Sequence, residues 1–302
     1  MHWIFIALIA PLIWSVLNHV DKYLISSYSK DIGVAGLAIF SSLFAIFVLP
    51  IIYFFDQSVL SLPASQILAL IISGIFFILC IFFYLHALGR DDASHVVPFW
   101  FLTPVFAYVL GVSFLGEYIE GGKIIGSLIT LIGALILSLE FDEGVKIKKV
   151  TAFLMILSSL SLAVADTIFK YFAANASFGQ SIFWNQVGLV IFACILLLIP
   201  LYRRDFLKIL KVNTKKLFML NLGGEAAQAG ASILNFYALL LAPIALVTLV
   251  NYTFQPLFVF IEGILITKFF PRIAQEHLTK RHIAQKLASI LIMAAGVYLI
   301  MI

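Results

Sequence analysis

Apolar runs of about 18 to 24 residues recur along this chain, separated by short polar links. About 20 helical residues cross the roughly 30 Å hydrocarbon core of a bilayer, so each run has the length of one crossing. Ten spans are expected, near 3 to 21, 33 to 55, 66 to 88, 93 to 114, 123 to 140, 151 to 173, 180 to 201, 216 to 240, 244 to 267 and 284 to 301. They read as helices because backbone polar groups in lipid must be satisfied within each segment, and the runs lack the apolar/polar alternation of a barrel strand. The chain is 63% hydrophobic and 11% charged, whereas a soluble domain carries roughly one-quarter charged residues. A soluble fold of 302 residues could not hide so much apolar surface. The expected class is all-α: a polytopic membrane protein with the lipid bilayer as its partner.

The first span begins at Trp3 without a basic leader or a small-residue cleavage site, so it reads as a retained helix, and no soluble domain is expected around the bundle. Cys80 and Cys194 fall inside spans and suggest no disulfide framework. A formal net charge of +4 raises the question of nucleic acid. The basic residues lie in short links, where they report membrane orientation instead, and no nucleic-acid partner is expected.

The chain repeats itself at half its length. Aligning "SVLNHVDKYL" (15 to 24) with "AVADTIFKYF" (163 to 172) sets Val16 opposite Val164, Asn18 opposite Asp166, Lys22 opposite Lys170 and Tyr23 opposite Tyr171. The same comparison pairs "LP" at 49 to 50 with "IP" at 199 to 200, "HAL" at 86 to 88 with "YAL" at 237 to 239, Pro104 with Pro256, and Gly133 with Gly296. Two units are expected, 1 to 145 (spans 1 to 5) and 146 to 302 (spans 6 to 10). Five is odd, so the second copy enters from the opposite side and the two five-helix repeats are inverted. Lysines and arginines concentrate in the odd-numbered links, among them Lys22, Arg90, Lys148, Arg203, Arg204, Lys211 and Arg281, and the other side holds little beyond Lys123 and Lys170. The positive-inside rule then puts the odd links in the cytoplasm and both termini outside.

Several stretches carry a family resemblance: "LIWS" with Lys22 at the end of span 1, "HALGRDDAS" between spans 3 and 4, "TPVFAYVLGVSFLGE" ending at Glu117, and "GSLITLIGALIL" in span 5. With the duplication, they make the chain resemble the EamA-like family of the drug/metabolite transporter superfamily. The resemblance implies ten helices in two inverted five-helix repeats, a central cavity, alternating access and a bacterial plasma (inner) membrane location. Repeat 2 departs from it: Lys268, Phe269 and Phe270 stand where the family's Gly-Glu would fall, and about ten extra residues precede span 10. Family members also place both termini in the cytosol, opposite to the charge count.

A charge near the centre of a span costs about 2.5 to 3.5 kcal/mol on insertion scales, so ionisable groups there face a cavity or a partner. Asp166 and Lys170 are four residues apart with the acid first, the helical spacing at which the pair partly neutralises itself. Two readings stand: Lys170 snorkels to the interface with Asp166 pairing it, or Asp166 and its repeat partner Asn18 line opposite ends of one pathway. Span 8 carries Glu225, Gln228, Ser232 and Asn235 at i, i+3, i+7 and i+10, one polar stripe on an otherwise apolar helix. Glu225 lies about nine residues beyond Lys216, roughly 13 Å at 1.5 Å per residue, near the midplane where transporters bind substrate. The alternative is an interhelical contact. Span 9 adds Thr248, Asn251, Gln255 and Glu262, with Pro256 freeing a carbonyl one turn back. Trp14 and Trp100 are candidate aromatic walls for an apolar or cationic ligand, and Asn185 in span 7 is a cavity residue or a bundle contact. Glu225 and Asp166 are the candidate proton or coupling-ion sites. Glu117, at a span end, is expected to order the link to span 5, with His19 and Glu262 interfacial.

No Walker A pattern accompanies the glycines at 121, 122, 223 and 224, no HExxH or cysteine cluster appears, and the six histidines are scattered. Neither a cofactor, a metal nor an enzymatic activity is expected. The leading expectation is a secondary transporter of a small polar or amphipathic molecule, acting as monomer or homodimer. The alternatives are a lipid-modifying membrane enzyme or its accessory subunit, marked by polar groups clustered at one membrane face, and a flippase for lipid-linked intermediates.

Overall fold

A computed structural model describes residues 2–27, 35–90, 96–138, 148–212, 215–269 and 280–301. The described residues form helices and turns, with no strand among them. In chain order the helices are α1 (His2–Ser27), α2 (Ala35–Phe55), α3 (Ala64–Leu88), α4 (Leu102–Leu110), α5 (Gly121–Ser138), α6 (Lys149–Ala173), α7 (Phe178–Leu198), α8 (Pro200–Val212), α9 (Lys215–Leu241), α10 (Ile244–Phe269) and α11 (Lys280–Met301). Among the described residues six are able, by length and composition, to cross a membrane: α1, α2, α3, α6, α7 and α10. Three further apolar segments are shorter, Phe99–Leu115, Gly121–Ile136 and Ala284–Ile300. In α9 the small and polar stretch "GGEAAQAGAS" dilutes the apolar run.

The bundle is built as lipid demands. Ala7, Ala10, Ser15, Ala38, Ser42 and Ser73 are fully buried, whereas Phe55 is 82% exposed and Leu198 80%. Lipid gives apolar side chains no reason to hide, so small residues take the interior, where they let backbones approach. The tightest crossing joins α3 to α7. A Cβ on Gly74 would run into the Asn185 carbonyl and come within 3.1 Å of the Gly188 Cα, and one on Gly188 would come within 3.0 Å of the Gly74 Cα.

Helix α3 also packs extensively on α6, α5 on α11 and α2 on α7. Helix α1 lies against α9 and α10, and α4 against α6 and α10. The sequence reading left 202 to 215 as a link, yet α8 occupies it. Its Ile209 is buried against Val20, Leu37 and Leu217, while Arg204 and Lys211 are exposed. One apolar stripe with basic residues opposite is the pattern of a helix lying in the interface, too short and too charged to register as a span.

The segment read as span 4 is helical throughout but irregular: a 3₁₀ turn over Val97–Phe101, the short α4, then a π turn over Gly111–Leu115. Pro98 and Pro104 punctuate it, each removing a backbone donor. Irregular backbone at membrane depth is tolerated where it is buried in protein or lines a cavity.

Candidate functional site

The link that follows this irregular segment begins the first cluster. Gly116 adopts φ 64°, a left-handed conformation that L side chains rarely adopt, and its N–H closes back on the Gly111 carbonyl. The reversal brings Glu117 over Gly111, where a Cβ would stand 2.8 Å from Glu117 Oε2. Glu117 Oε1 lies 2.5 Å from Lys170 Nζ. The Ile244 N–H donates to Glu117 Oε2 at 2.8 Å, and Lys170 also donates to the Ala242 carbonyl. Glu117 therefore caps the start of α10 and grips the end of α6, rather than ordering the link to α5. Lys170 is committed to Glu117, so the Asp166–Lys170 pairing, one of the two readings of the sequence, is not how this side chain is used: the Gly116 turn delivers a carboxylate to the end of α6, a turn beyond Asp166. Lys22, the repeat partner of Lys170, has its side chain outside the described residues, as do Lys216 and Lys268; so do Phe269 and Phe270.

A second set of ties lies at the same end of the bundle, among the even-numbered links. The hydroxyls of Ser177 and Ser58 donate to Asp56, each at 2.5 Å, and the Ser58 N–H donates at 3.0 Å. These contacts, the Ser177 hydroxyl first, hold the Asp56 carboxyl below the usual carboxylate range. Ser177 is also the N-cap of α7, in a reciprocal capping box with Gln180. Gln180 donates to the Ser58 carbonyl at 2.8 Å, and the Trp184 indole to the Val59 carbonyl at 2.7 Å. The α2–α3 connection is thus fastened to the start of α7.

Toward the other end the polar stripe of α9 opens. Asn235 is 3% exposed and Ser232 6%, whereas Gln228 and Glu225 are only half-buried. The Ser41 hydroxyl of α2 donates to Glu225. Gln228 donates to Ser232 at 3.5 Å, and Asn251 Nδ2 donates to Asn235 Oδ1 at 2.5 Å. Across the α1–α10 seam Ser15 donates to Glu262 at 2.7 Å, and His19 Nε2 stands 3.8 Å from the same carboxylate.

Asp166 is 1% exposed and its Oδ1 has no hydrogen-bond partner, and Asn251, also 1% exposed, has its Oδ1 unpartnered. Asp166 is within electrostatic range of Tyr252 and Cys80. Phe169, one turn beyond Asp166, stacks on Phe236, the neighbour of Asn235, with centroids 4.1 Å apart. Trp100 stacks on Tyr252 at 5.4 Å and 10°, and Tyr84 leans on Trp100 at 5.5 Å.

Of the candidate residues, Asn235 and Asn251 meet directly, Trp100 stacks on Tyr252, and Asp166 is buried within electrostatic range of Tyr252. Glu225 and Gln228 sit nearer the α2–α9 seam. Asn185 lies in the α3–α7 crossing, donating to Ser73 at 3.0 Å, which in turn donates to the Ala165 carbonyl at 2.8 Å: a helix-to-helix contact. Trp14, Asn18 and Gln255 are half-buried on α1 and α10, and the Trp14 indole N–H is buried without a partner. Tyr252 was not singled out by sequence reasoning. A signal existed: Tyr252 follows Trp100 by 152 residues, the offset that separates Pro256 from Pro104, so the stacked pair are repeat equivalents.

Comparison with known proteins gives three results. Residues 1–139 match the EamA-like transporter family. No curated protein matches. A solved structure described only as "Crystal structure of protein" is 15% identical, with a TM-score of 0.68 covering 99% of this chain and 96% of that one, a likeness of fold.

Proposed function

We propose, from the premise that this is a membrane protein of the EamA-like transporter family, its residues 1–139 matching that family, that it is a secondary active transporter of a small polar or amphipathic molecule. The observation that carries the reading is the Trp100–Tyr252 stack, with the buried Asp166 within electrostatic range of Tyr252. Two repeat-equivalent residues can touch only near the axis that relates the halves, and that is where an inverted-repeat carrier holds its substrate.

The helix pairing supports two inverted repeats, 1 to 145 and 146 to 302, with α8 as an insertion. Exchanging the halves turns α3–α6 into α9–α1 and α4–α6 into α10–α1, and turns α2–α7, α4–α10 and α5–α11 into themselves; each of these pairs is in contact. The exchange is imperfect: the α5–α10 contact has no comparable α4–α11 counterpart, and one crossing differs sharply between the halves. The α3–α7 crossing is close enough to require Gly74 and Gly188, while its counterpart, α9–α2, is much sparser and bridged by Ser41 and Glu225, and a Cβ on Gly223 or Gly230 would meet nothing within 4 Å. With the even-link end tied by Glu117–Lys170 and Asp56–Ser177, we read this conformation as open toward the odd-numbered links. The basic face of α8 at that end supports a cytoplasmic orientation in a bacterial inner membrane. Alternating access would close the α2–α9 seam and loosen the α3–α7 one.

Glu225, near the α2–α9 seam, and the buried Asp166 are the proposed coupling groups, with Gln228, Ser232, Asn235, Asn251, Gln255, Trp14, Asn18 and Trp100 as the candidate lining, while Asn185, tied to Ser73, is read as a bundle contact. The test is flux into proteoliposomes across a panel of amines, amino acids and nucleosides under an imposed pH gradient. Gradient-driven uptake of one class that loses its coupling in Glu225→Gln is the expected result. Uptake indifferent to both would remove the coupling assignment, and no flux of any class would remove the carrier.

A further inference from the structure

We propose that the groove between α10 and α11 binds one anionic phospholipid, with an acyl chain lying in the groove and the phosphate meeting the Lys286 ammonium. The inference needs the chain to lie in a membrane and is independent of the carrier reading.

Helices α10 and α11 follow one another along the chain, and both pack on α5. A cavity of about 270 Å³ is left between them, with Phe254 and Leu257 on one side and Ile290, Met293, Val297 and Tyr298 on the other. Met293 closes its floor, packed with Leu257, Phe101 and the Ala134 of α5. Ala294 and Tyr298, at the rim, are exposed, as are the neighbouring Leu287 and Leu291 on the same helix, so the cavity is a groove that opens on the outer surface. In a membrane protein a surface of that composition faces lipid. Apart from the Tyr298 hydroxyl, the lining side chains are hydrocarbon and one thioether, which offer a polar substrate nothing to bond. The volume also falls below the roughly 300 to 1,000 Å³ of pockets that enclose a small molecule. A shallow apolar trough of this kind covers an extended hydrocarbon chain.

Charge at one end of the trough selects the lipid. Lys286 lies over Phe260, with Nζ 4.0 Å from the ring centroid. Lys286 is one turn before Ile290 and Phe260 one turn beyond Leu257, so the ammonium stands at the odd-link end of the groove. Val297 follows Lys286 by 11 residues, about 16 Å at 1.5 Å per residue, which is close to half of the roughly 30 Å hydrocarbon core and so to one leaflet. Cation and trough are thus spaced as the phosphate and acyl chain of a single lipid are. The surroundings keep the sign positive: α11 contains no acidic residue and begins with Lys280 and Arg281. Glu262, the acid of α10, is engaged instead by Ser15 and His19 of α1. Basic groups between transmembrane helices attract anionic headgroups, and a lysine stem lies along apolar surface while its head reaches the interface. A zwitterionic lipid would bring a cation of its own to the same end.

Photolabelling of the full chain in phosphatidylcholine vesicles tests this. Two probes with identical acyl chains bearing a mid-chain diazirine, one a phosphatidylglycerol and the other a phosphatidylcholine, are added at the same mole fraction, and labelled residues are read by peptide mass spectrometry. The phosphatidylglycerol probe is expected to label residues 290–298 about fivefold more than its partner, the factor equivalent to ~1 kcal/mol for one basic side chain at a membrane surface. Phe153, 61% exposed near Lys149 at the odd-link end of α6 and outside the groove, is the reference and should show a clearly smaller ratio. Lys286→Met should bring the groove down to the reference ratio. Ala294→Trp, which fills the trough from an exposed position, should remove the groove label from both probes. Equal labelling of the groove by the two probes, a preference at Phe153 as large as in the groove, or a groove ratio unchanged in Lys286→Met would each overturn the proposal. So would a groove that neither probe labels, the result expected if a second copy of the chain covered it. Should Ala294→Trp fail to fold, the two-probe comparison and Lys286→Met decide without it.

Discussion

The tie between Glu117 and Lys170 joins three parts of the bundle, and its removal has a size that the surroundings set. The side chains are 17% and 12% exposed, for Lys170 and Glu117 respectively. Deleting one member of a buried pair costs about 3 to 5 kcal/mol because the survivor keeps its desolvation and loses its counter-charge. Lys170→Met leaves Glu117 with the Ile244 N–H alone, so the low end of that range, ~3 kcal/mol, is expected. Glu117→Gln should cost less, ~1.5 to 3 kcal/mol, because a glutamine carbonyl still accepts from Ile244 and Lys170 still reaches the Ala242 carbonyl. In the double variant no charge remains to be stranded, and the loss should fall short of the sum by ~1 to 2 kcal/mol. The assay is reversible unfolding of bicelle-reconstituted protein by increasing SDS fraction, on all four members of the cycle. A Lys170→Met chain within ~0.5 kcal/mol of wild type, or strictly additive singles, would refute the latch.

Further outcomes follow from the same geometry. Gly74→Leu should prevent the α3–α7 crossing and destabilise the bundle by at least ~1 to 3 kcal/mol, the cost of overpacking, while Gly223→Leu on the slack α9 face should leave stability in the same unfolding assay nearly unchanged. Gly116→Ala forces a side chain into the left-handed region and should cost ~1 to 2 kcal/mol; the same unfolding assay checks it. Asp56 has a pKa lowered by folding, so its stabilising effect is complete above the unfolded value near 4 and fades as pH falls through the lower folded value. The stability gap between wild type and Asp56→Asn should therefore be present at pH 7 and shrink toward pH 3, measured by unfolding at both.

How much of this was legible in the sequence depends on the distance over which each feature acts. Helical class, the positions of the long apolar runs and the pairing of Pro104 with Pro256 are properties of composition and spacing, because a bilayer imposes one local rule on every segment. The stripe of Glu225, Gln228, Ser232 and Asn235 was readable for the same reason: helical periodicity puts those residues on one face whatever they touch. Partnership was not readable. Asp166 and Lys170 are four residues apart, and the lysine turns instead to a carboxylate 53 positions earlier, because Gly116 reverses the chain there and long-range packing decides which charges meet. The contrast between α3–α7 and α9–α2, and the contact of Trp100 with Tyr252, likewise exist only once the two halves are assembled. A sequence states which side chains share a helix face; the tertiary structure alone states which faces meet, since that is fixed by contacts between segments far apart along the chain.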